Sequence, residues 1–170
     1  MARGVSIPAL PVVEESLTVR APIRALYDLT QDYYLRLEWD PFLRDLRFLD
    51  GAAGPAPGAK VWVRAKNGLA MTVEYVTVQP PERVAVKLVK GPFFFESFGG
   101  AWLLRDEGDG RTTVTFRYGF KTRWPWLRPL LDRAISLVFT RDIAARARAL
   151  RHAAEHTDLL QRATAAARPA

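Results

Sequence analysis

Asp142 and Arg146 stand four residues apart in a run, Leu130 to Leu160, that contains no proline or glycine. At helical spacing such residues meet. Placed on a wheel, both fall inside the arc of Leu131, Ala134, Ile135, Val138, Phe139, Ala145, Ala149 and Leu150. A charge on an apolar face is costly unless it is paired, so the spacing predicts an Asp142–Arg146 ion pair. Two readings fit such a pair: a polar patch orienting a ligand carbonyl or hydroxyl, or a structural pair at a cavity rim. Tyr118 is the best hydroxyl for a ligand hydrogen bond, and a core tyrosine satisfied by protein is the alternative. Glu96, on one strand face with Phe98 and Trp102, is either an acid with raised pKa or an exposed residue beside Gly91-Pro92. The rest of the usual chemistry is missing. The chain has no cysteine and two histidines, His152 and His156, which excludes thiol nucleophiles, disulfides and most histidine catalysis. It has no phosphate loop, zinc spacing or Ser-His-Asp set, so neither a cofactor nor a metal is expected.

These residues need elements to position them. The 170 residues are 49% hydrophobic and 25% charged, which fits one folded domain. Val12–Arg20 reads as a strand. Ala21-Pro22 leads into a short helix, and Asp32–Glu38 forms a second, broken by Trp39-Asp40-Pro41. Strands follow over 44–49, 60–66, 70–78, 83–90, 94–105 and 111–122, with Asn67-Gly68 as a hairpin signal. In 94–105, Phe94, Glu96, Phe98, Gly100, Trp102 and Leu104 share a face. In 111–122, Val114, Phe116, Tyr118 and Phe120 face inward and Thr113, Thr115, Arg117 and Lys121 outward. A helix to about Leu160 is about 45 Å long, enough to cross a sheet. The expectation is an α+β fold, a curved antiparallel sheet of about seven strands around a long C-terminal helix, with two short helices after the first strand. A cavity between helix and sheet follows, because a helix cannot fill a concave sheet by itself.

The ordered set of Ala21-Pro22-Ile23, Leu26-Tyr27-Asp28-Leu29, Asp32-Tyr33-Tyr34, Trp39-Asp40-Pro41-Phe42, Gly91-Pro92-Phe93, Trp102 and the terminal helix resembles the START-like (Bet v 1-like) superfamily. Within it, the chain is most similar to the polyketide cyclase/dehydrase and lipid-transport branch, which includes coenzyme Q-binding proteins. The resemblance implies the helix-grip fold over residues 12–160; the composition of 1–11 and of the Ala- and Arg-rich 161–170 leads to the expectation of flexible termini. The resemblance also implies a lipid, isoprenoid quinone or polyketide-like molecule carried between sheet and helix. The expected cavity residues are Tyr33, Trp39, Phe98, Trp102, Phe116, Tyr118, Phe120, Ile135, Val138, Phe139, Asp142 and Arg146. A cyclase or hydratase using Tyr118, Asp142 and Arg146 is the alternative, weakened by the lack of a cavity histidine.

From Lys121 to Arg151 eight basic residues face two acids, a net +6 out of +7 for the chain. Trp124-Pro125-Trp126 and Phe93-Phe94-Phe95 stand near this charge. The combination suits a transient contact with an anionic membrane, or the aromatics pack the loop entering the helix. The basic face also leaves a ribosome- or RNA-associated role as a further alternative. The stretch lacks the aromatic-plus-glycine signature of a single-strand binder, which argues against nucleic acid. Without signal-peptide features at the N-terminus, a cytoplasmic location is the default expectation.

Overall fold

Alternating apolar and polar residues set the sheet. The computed structural model describes residues 11–167. Its elements are β1 (Val12–Val19), α1 (Ile23–Gln31), α2 (Tyr33–Trp39), β2 (Leu43–Phe48), β3 (Lys60–Ala65), β4 (Ala70–Gln79), β5 (Arg83–Lys90), β6 (Phe95–Gly108) and β7 (Arg111–Thr122). A 3-10 turn (Pro125–Leu127), α3 (Arg128–His156) and α4 (Leu159–Ala166) complete the chain. The seven strands form one antiparallel sheet in the order β1-β7-β6-β5-β4-β3-β2. This is the helix-grip fold.

β7 shows the logic. Val114, Phe116 and Phe120 are fully buried, and the intervening Thr115 and Thr113 bond across to Ser16 and Thr18 of β1 on the other face. Asp32 sets the two short helices. Its backbone N–H donates to Asp28 and ends α1, while its carboxylate accepts from Tyr34 and Leu35 N–H, both at 3.0 Å, and starts α2. Such a cap contributes about 1 kcal/mol. α2 stops at Trp39 because Asp40, before Pro41, takes the extended conformation (φ −79°, ψ 111°).

Three details differ from the sequence expectation. In β6 an irregularity between Phe95 and Ser97 shifts the register against β7. Phe95 is therefore buried, and Glu96 points out to Lys121 (2.5 Å) and Arg128 (3.2 Å). A bulge of this kind re-aims every side chain before it. Second, α3 ends at His156, where Thr157 turns extended and its hydroxyl both donates to Ala153 O and accepts from Leu159 N–H. α4 then folds back: Leu159 and Ala163 are buried, and Arg162 makes a two-pronged bond to Glu38 at 2.6 and 2.8 Å. Residues 161–166 are thus a packed helix and not a fraying tail. The flexibility expected at 1–10 and 168–170 falls outside the described residues, while Pro11 extends the β1 ladder by accepting from Phe120 N–H. Third, the buried seam of α3 runs through Ile143, Arg146, Ala147, Leu150, Ala153 and Ala154, all in its C-terminal half. The N-terminal half meets the sheet mainly through Phe139, whose ring lies 5.4 Å from those of Tyr118 and Phe120, and through Asp132, which accepts from the Thr122 hydroxyl, while Val138 there is 53% exposed.

Candidate functional site

The gap under the N-terminal half of α3 holds two adjoining chambers. The inner one, about 90 Å³, lies between α2, the concave face of the sheet and α3. The outer one, about 250 Å³, lies between α3 and the Asn67–Leu69 and Pro92–Phe94 turns. Phe42, Met71, Phe139 and Asp142 line both, so they form the waist between them. Together the chambers reach the low end of the ~300–1,000 Å³ of small-molecule sites.

The polar end of the inner chamber is built from α2, β7 and α3. Tyr33, Arg36 and Asp40 fall at i, i+3 and i+7, one face of α2 and its C-cap. Asp40 is buried, with no side-chain exposure. One of its oxygens accepts from Arg36 Nη2 at 3.2 Å and Arg146 Nη2 at 2.8 Å, and the other accepts from Phe42 N–H. Two buried guanidiniums share this carboxylate, and Asp142, which lines the same chamber, is the second acid acting on Arg146. Arg146 Nη1 also donates to the Tyr118 hydroxyl, and Tyr33 and Tyr75 hydroxyls bond to each other. The Trp102 ring meets both cations, 5.3 Å from Arg36 and 5.6 Å from Arg146, in two cation–π contacts. Gly100 leaves room for the Tyr118 ring, since a Cβ there would come within 3.3 Å of it.

Burial alone would push the Asp40 carboxyl up, but Arg146 and Arg36 outweigh it and hold Asp40 below the usual carboxylate range. Burial opposes the charge on Arg146, and Asp40 more than restores it, raising the guanidinium further. Burial raises the hydroxyls of Tyr118 and Tyr33, so both are neutral donors at pH 7. Asp142 is raised, first by partial burial and then by Asp40, against the pull of Arg146.

Tyr33, Phe98, Trp102, Tyr118, Phe139, Asp142 and Arg146 line the inner chamber, and Ile135, Val138, Phe139 and Asp142 the outer. Trp39, Phe116 and Phe120, expected at the cavity, line neither. Phe116 and Phe120 are fully buried under the floor, and Trp39 packs edge-on to Trp102 at 6.2 Å. The expected Asp142–Arg146 pair is not formed, because Asp40, arriving from α2, takes the Arg146 guanidinium. Sequence reasoning missed Asp40 and Arg36. The signal was present in the spacing of 33, 36 and 40, hidden by reading Asp40 only as the residue before proline. Of the aromatic clusters, Trp124 packs against Phe93 at 5.8 Å, while Trp126 and Phe93 are 77% and 71% exposed.

The profile of the family described as polyketide cyclase/dehydrase and lipid transport matches residues 11–155. No curated protein sequence matches the chain. Among solved structures, the Zhui aromatase/cyclase from Streptomyces sp. R1128 is 18% identical, with a TM-score of 0.69 over 92% of this chain and 95% of that one. A START superfamily protein from Mycobacterium smegmatis is 13% identical, with a TM-score of 0.68 over 85% and 97%. A truncated norcoclaurine synthase from Thalictrum flavum is also 13% identical, with a TM-score of 0.66 over 85% and 93%. At these identities the likeness is one of fold. A profile spanning most of the chain, on a sheet gripping a long helix over a lined cavity, identifies the chain as a member of the polyketide cyclase/dehydrase and lipid-transport family.

Proposed function

We propose that this protein binds and carries an apolar small molecule, of the lipid, isoprenoid quinone or polyketide-like kind, between the sheet and α3. The observation that carries this reading is the pair of adjoining chambers, walled mainly by Val61, Val63, Met71, Val73, Phe94 and Phe139. Burying a ligand's apolar surface there contributes about 25 cal/mol per Å². Native mass spectrometry of the purified protein, followed by solvent extraction, tests it. The expected result is a bound adduct released intact, at one per chain. Ala134→Trp, which fills the outer chamber, should abolish the adduct, and an unaltered adduct would overturn the reading.

A cyclase or hydratase is the second reading. The Arg146–Tyr118 donor pair supports it, since hydrogen-bond donors facing a reacting oxygen stabilise developing negative charge. Asp142, with its raised carboxyl, would be the proton carrier. Recovery of a poly-β-ketone ligand as a cyclised or dehydrated product, lost in Tyr118→Phe, separates this reading from carriage.

We further propose that the mouth of the outer chamber touches anionic membranes transiently. Phe93, Trp126, Leu130, Leu137 and Val138 are exposed around it, with Arg123, Arg133 and Arg141 exposed nearby. Among the described residues no helix is long and apolar enough to cross a membrane, so contact would be peripheral. Co-sedimentation with phosphatidylglycerol vesicles, weak with phosphatidylcholine and lost in Trp126→Ser/Leu130→Ser, is the expected result. Equal binding to both vesicle types would remove the role of the basic residues.

A further inference from the structure

Hydrogen-bond accounting at the polar end of the inner chamber leaves donors over. Arg36 Nε and Arg146 Nε are buried and bond to nothing among the described residues. The two residues are 7% and 5% exposed and both line the chamber. The Tyr118 oxygen accepts from Arg146, and no acceptor takes its own proton. Against these donors the structure sets Asp40, whose oxygens already receive three bonds, while Asp142, which lines the same chamber, bonds to none of them. Buried donors without acceptors cost about 1–3 kcal/mol each, more when charged. An apolar ligand would leave the deficit in place. An alcohol would accept one bond but bring a further donor. Of the groups that only accept, a carboxylate bonds a guanidinium more strongly than a neutral carbonyl does.

We infer that the carried molecule is an amphiphile with an anionic oxygen head, a carboxylate in the simplest case, seated between Arg146, Tyr118 and Arg36. Its apolar body passes the waist of Phe42, Met71 and Phe139 into the outer chamber. This inference rests on the carrier reading and adds the class of ligand and its direction. Asp142 opposes the head: it lines the waist, makes no hydrogen bond or ion pair among the described residues, and is the one carboxylate lining the chambers. The head therefore lies deeper than Asp142, on the far side from the mouth.

The test uses the full chain with two probes, 11-(dansylamino)undecanoic acid and its methyl ester, titrated by fluorescence at pH 7.5. The two differ in the charge at the head and in one methyl group. The acid should bind about tenfold or more tightly than the ester, since a charge-assisted hydrogen bond is about twice as strong as a neutral one. Tyr118→Phe should lower the acid-to-ester ratio severalfold, and Asp142→Asn should raise it. Asp142→Asn removes no hydrogen bond, so it tests the inference without endangering the fold. An ester that binds as tightly as the acid overturns the inference and leaves the carrier reading standing. A ratio unmoved by Asp142→Asn places the head elsewhere and also overturns it. Failure of both probes to bind overturns the carrier reading itself.

Discussion

The two chambers lie along the same helix and are made of opposite materials. The inner one takes its polar atoms from α2, β4, β7 and α3, each held by another: Tyr33 by Tyr75, Tyr118 by Arg146, and Arg146 and Arg36 by Asp40. The outer one is walled by two turns and the N-terminal half of α3, and its side chains, Asn67 and Asp142 apart, are apolar. A side chain bonded on several sides has one position, so it reads the shape and charge of what meets it. An apolar wall of partly exposed residues accepts whatever length arrives. On the proposed reading one end would select and the other accommodate, so that a single cavity would serve molecules sharing a head and differing in tail.

The most severe way to break this contrast is to remove the cation at its centre. Arg146→Ala should cost about 3–5 kcal/mol in urea melts, the usual result of breaking a buried pair. Asp40→Asn/Arg146→Gln should recover none of that loss, because it leaves the buried Arg36 without its carboxylate. A wild-type midpoint for Arg146→Ala would mean that the inner chamber is wet and its order loose. Gly100→Ala acts next. The added Cβ meets the Tyr118 ring at 3.3 Å, and overpacking of this sort costs about 1–3 kcal/mol. The same melts check it, and no change in midpoint would show that Tyr118 is free to move.

Acid sharpens the contrast, because the two carboxylates shift in opposite directions. Asp40 is held low, so its contribution to stability is full above the ordinary aspartate value of about 3.9. That contribution is lost as pH falls through its lower folded value. Asp40→Asn/Arg146→Gln should therefore flatten the acid limb of the stability profile. Asp142 is raised, so it favours the folded state only while protonated, and that gain is lost as pH rises through its folded value. Asp142→Asn should melt slightly higher than wild type at pH 7 and together with it at pH 3, the smallest effect of the set. A higher melting point at pH 3 as well would trace the gain to packing.

Much of this was readable from residue order. The alternation of Val114, Phe116, Tyr118 and Phe120 gave the inner face of β7, and the breaks at Pro22 and Pro41 gave the short helices. The cavity wall contributed by Phe98, Trp102 and Phe139 followed from the same periodicities. What escaped the reading depends on distance along the chain. Asp142 and Arg146 have the spacing to pair in an isolated helix, but a carboxylate 106 residues away outcompetes the local one. It does so by arriving buried, where a charge interacts more strongly than on a wet helix face. The bulge before Ser97 carries no local mark, so alternation alone puts Glu96 on the face of Phe98, while the structure turns it out to Lys121 and Arg128. In α3 the fully buried positions are confined to the C-terminal half, through Ile143 and Ala147, because the chambers lie along the rest.

The separation of Asp40 from Arg146 also bears on biosynthesis. At about 5–20 residues per second, roughly 5–20 s pass between the synthesis of Asp40 and that of its partner. The first strand waits in the same way, because its neighbour in the sheet is the last strand. During that interval Asp40 has Arg36, four residues before it, but not Arg146. A chain that stops short of α3 carries most of the lining of the inner chamber without Phe139, Asp142 and Arg146.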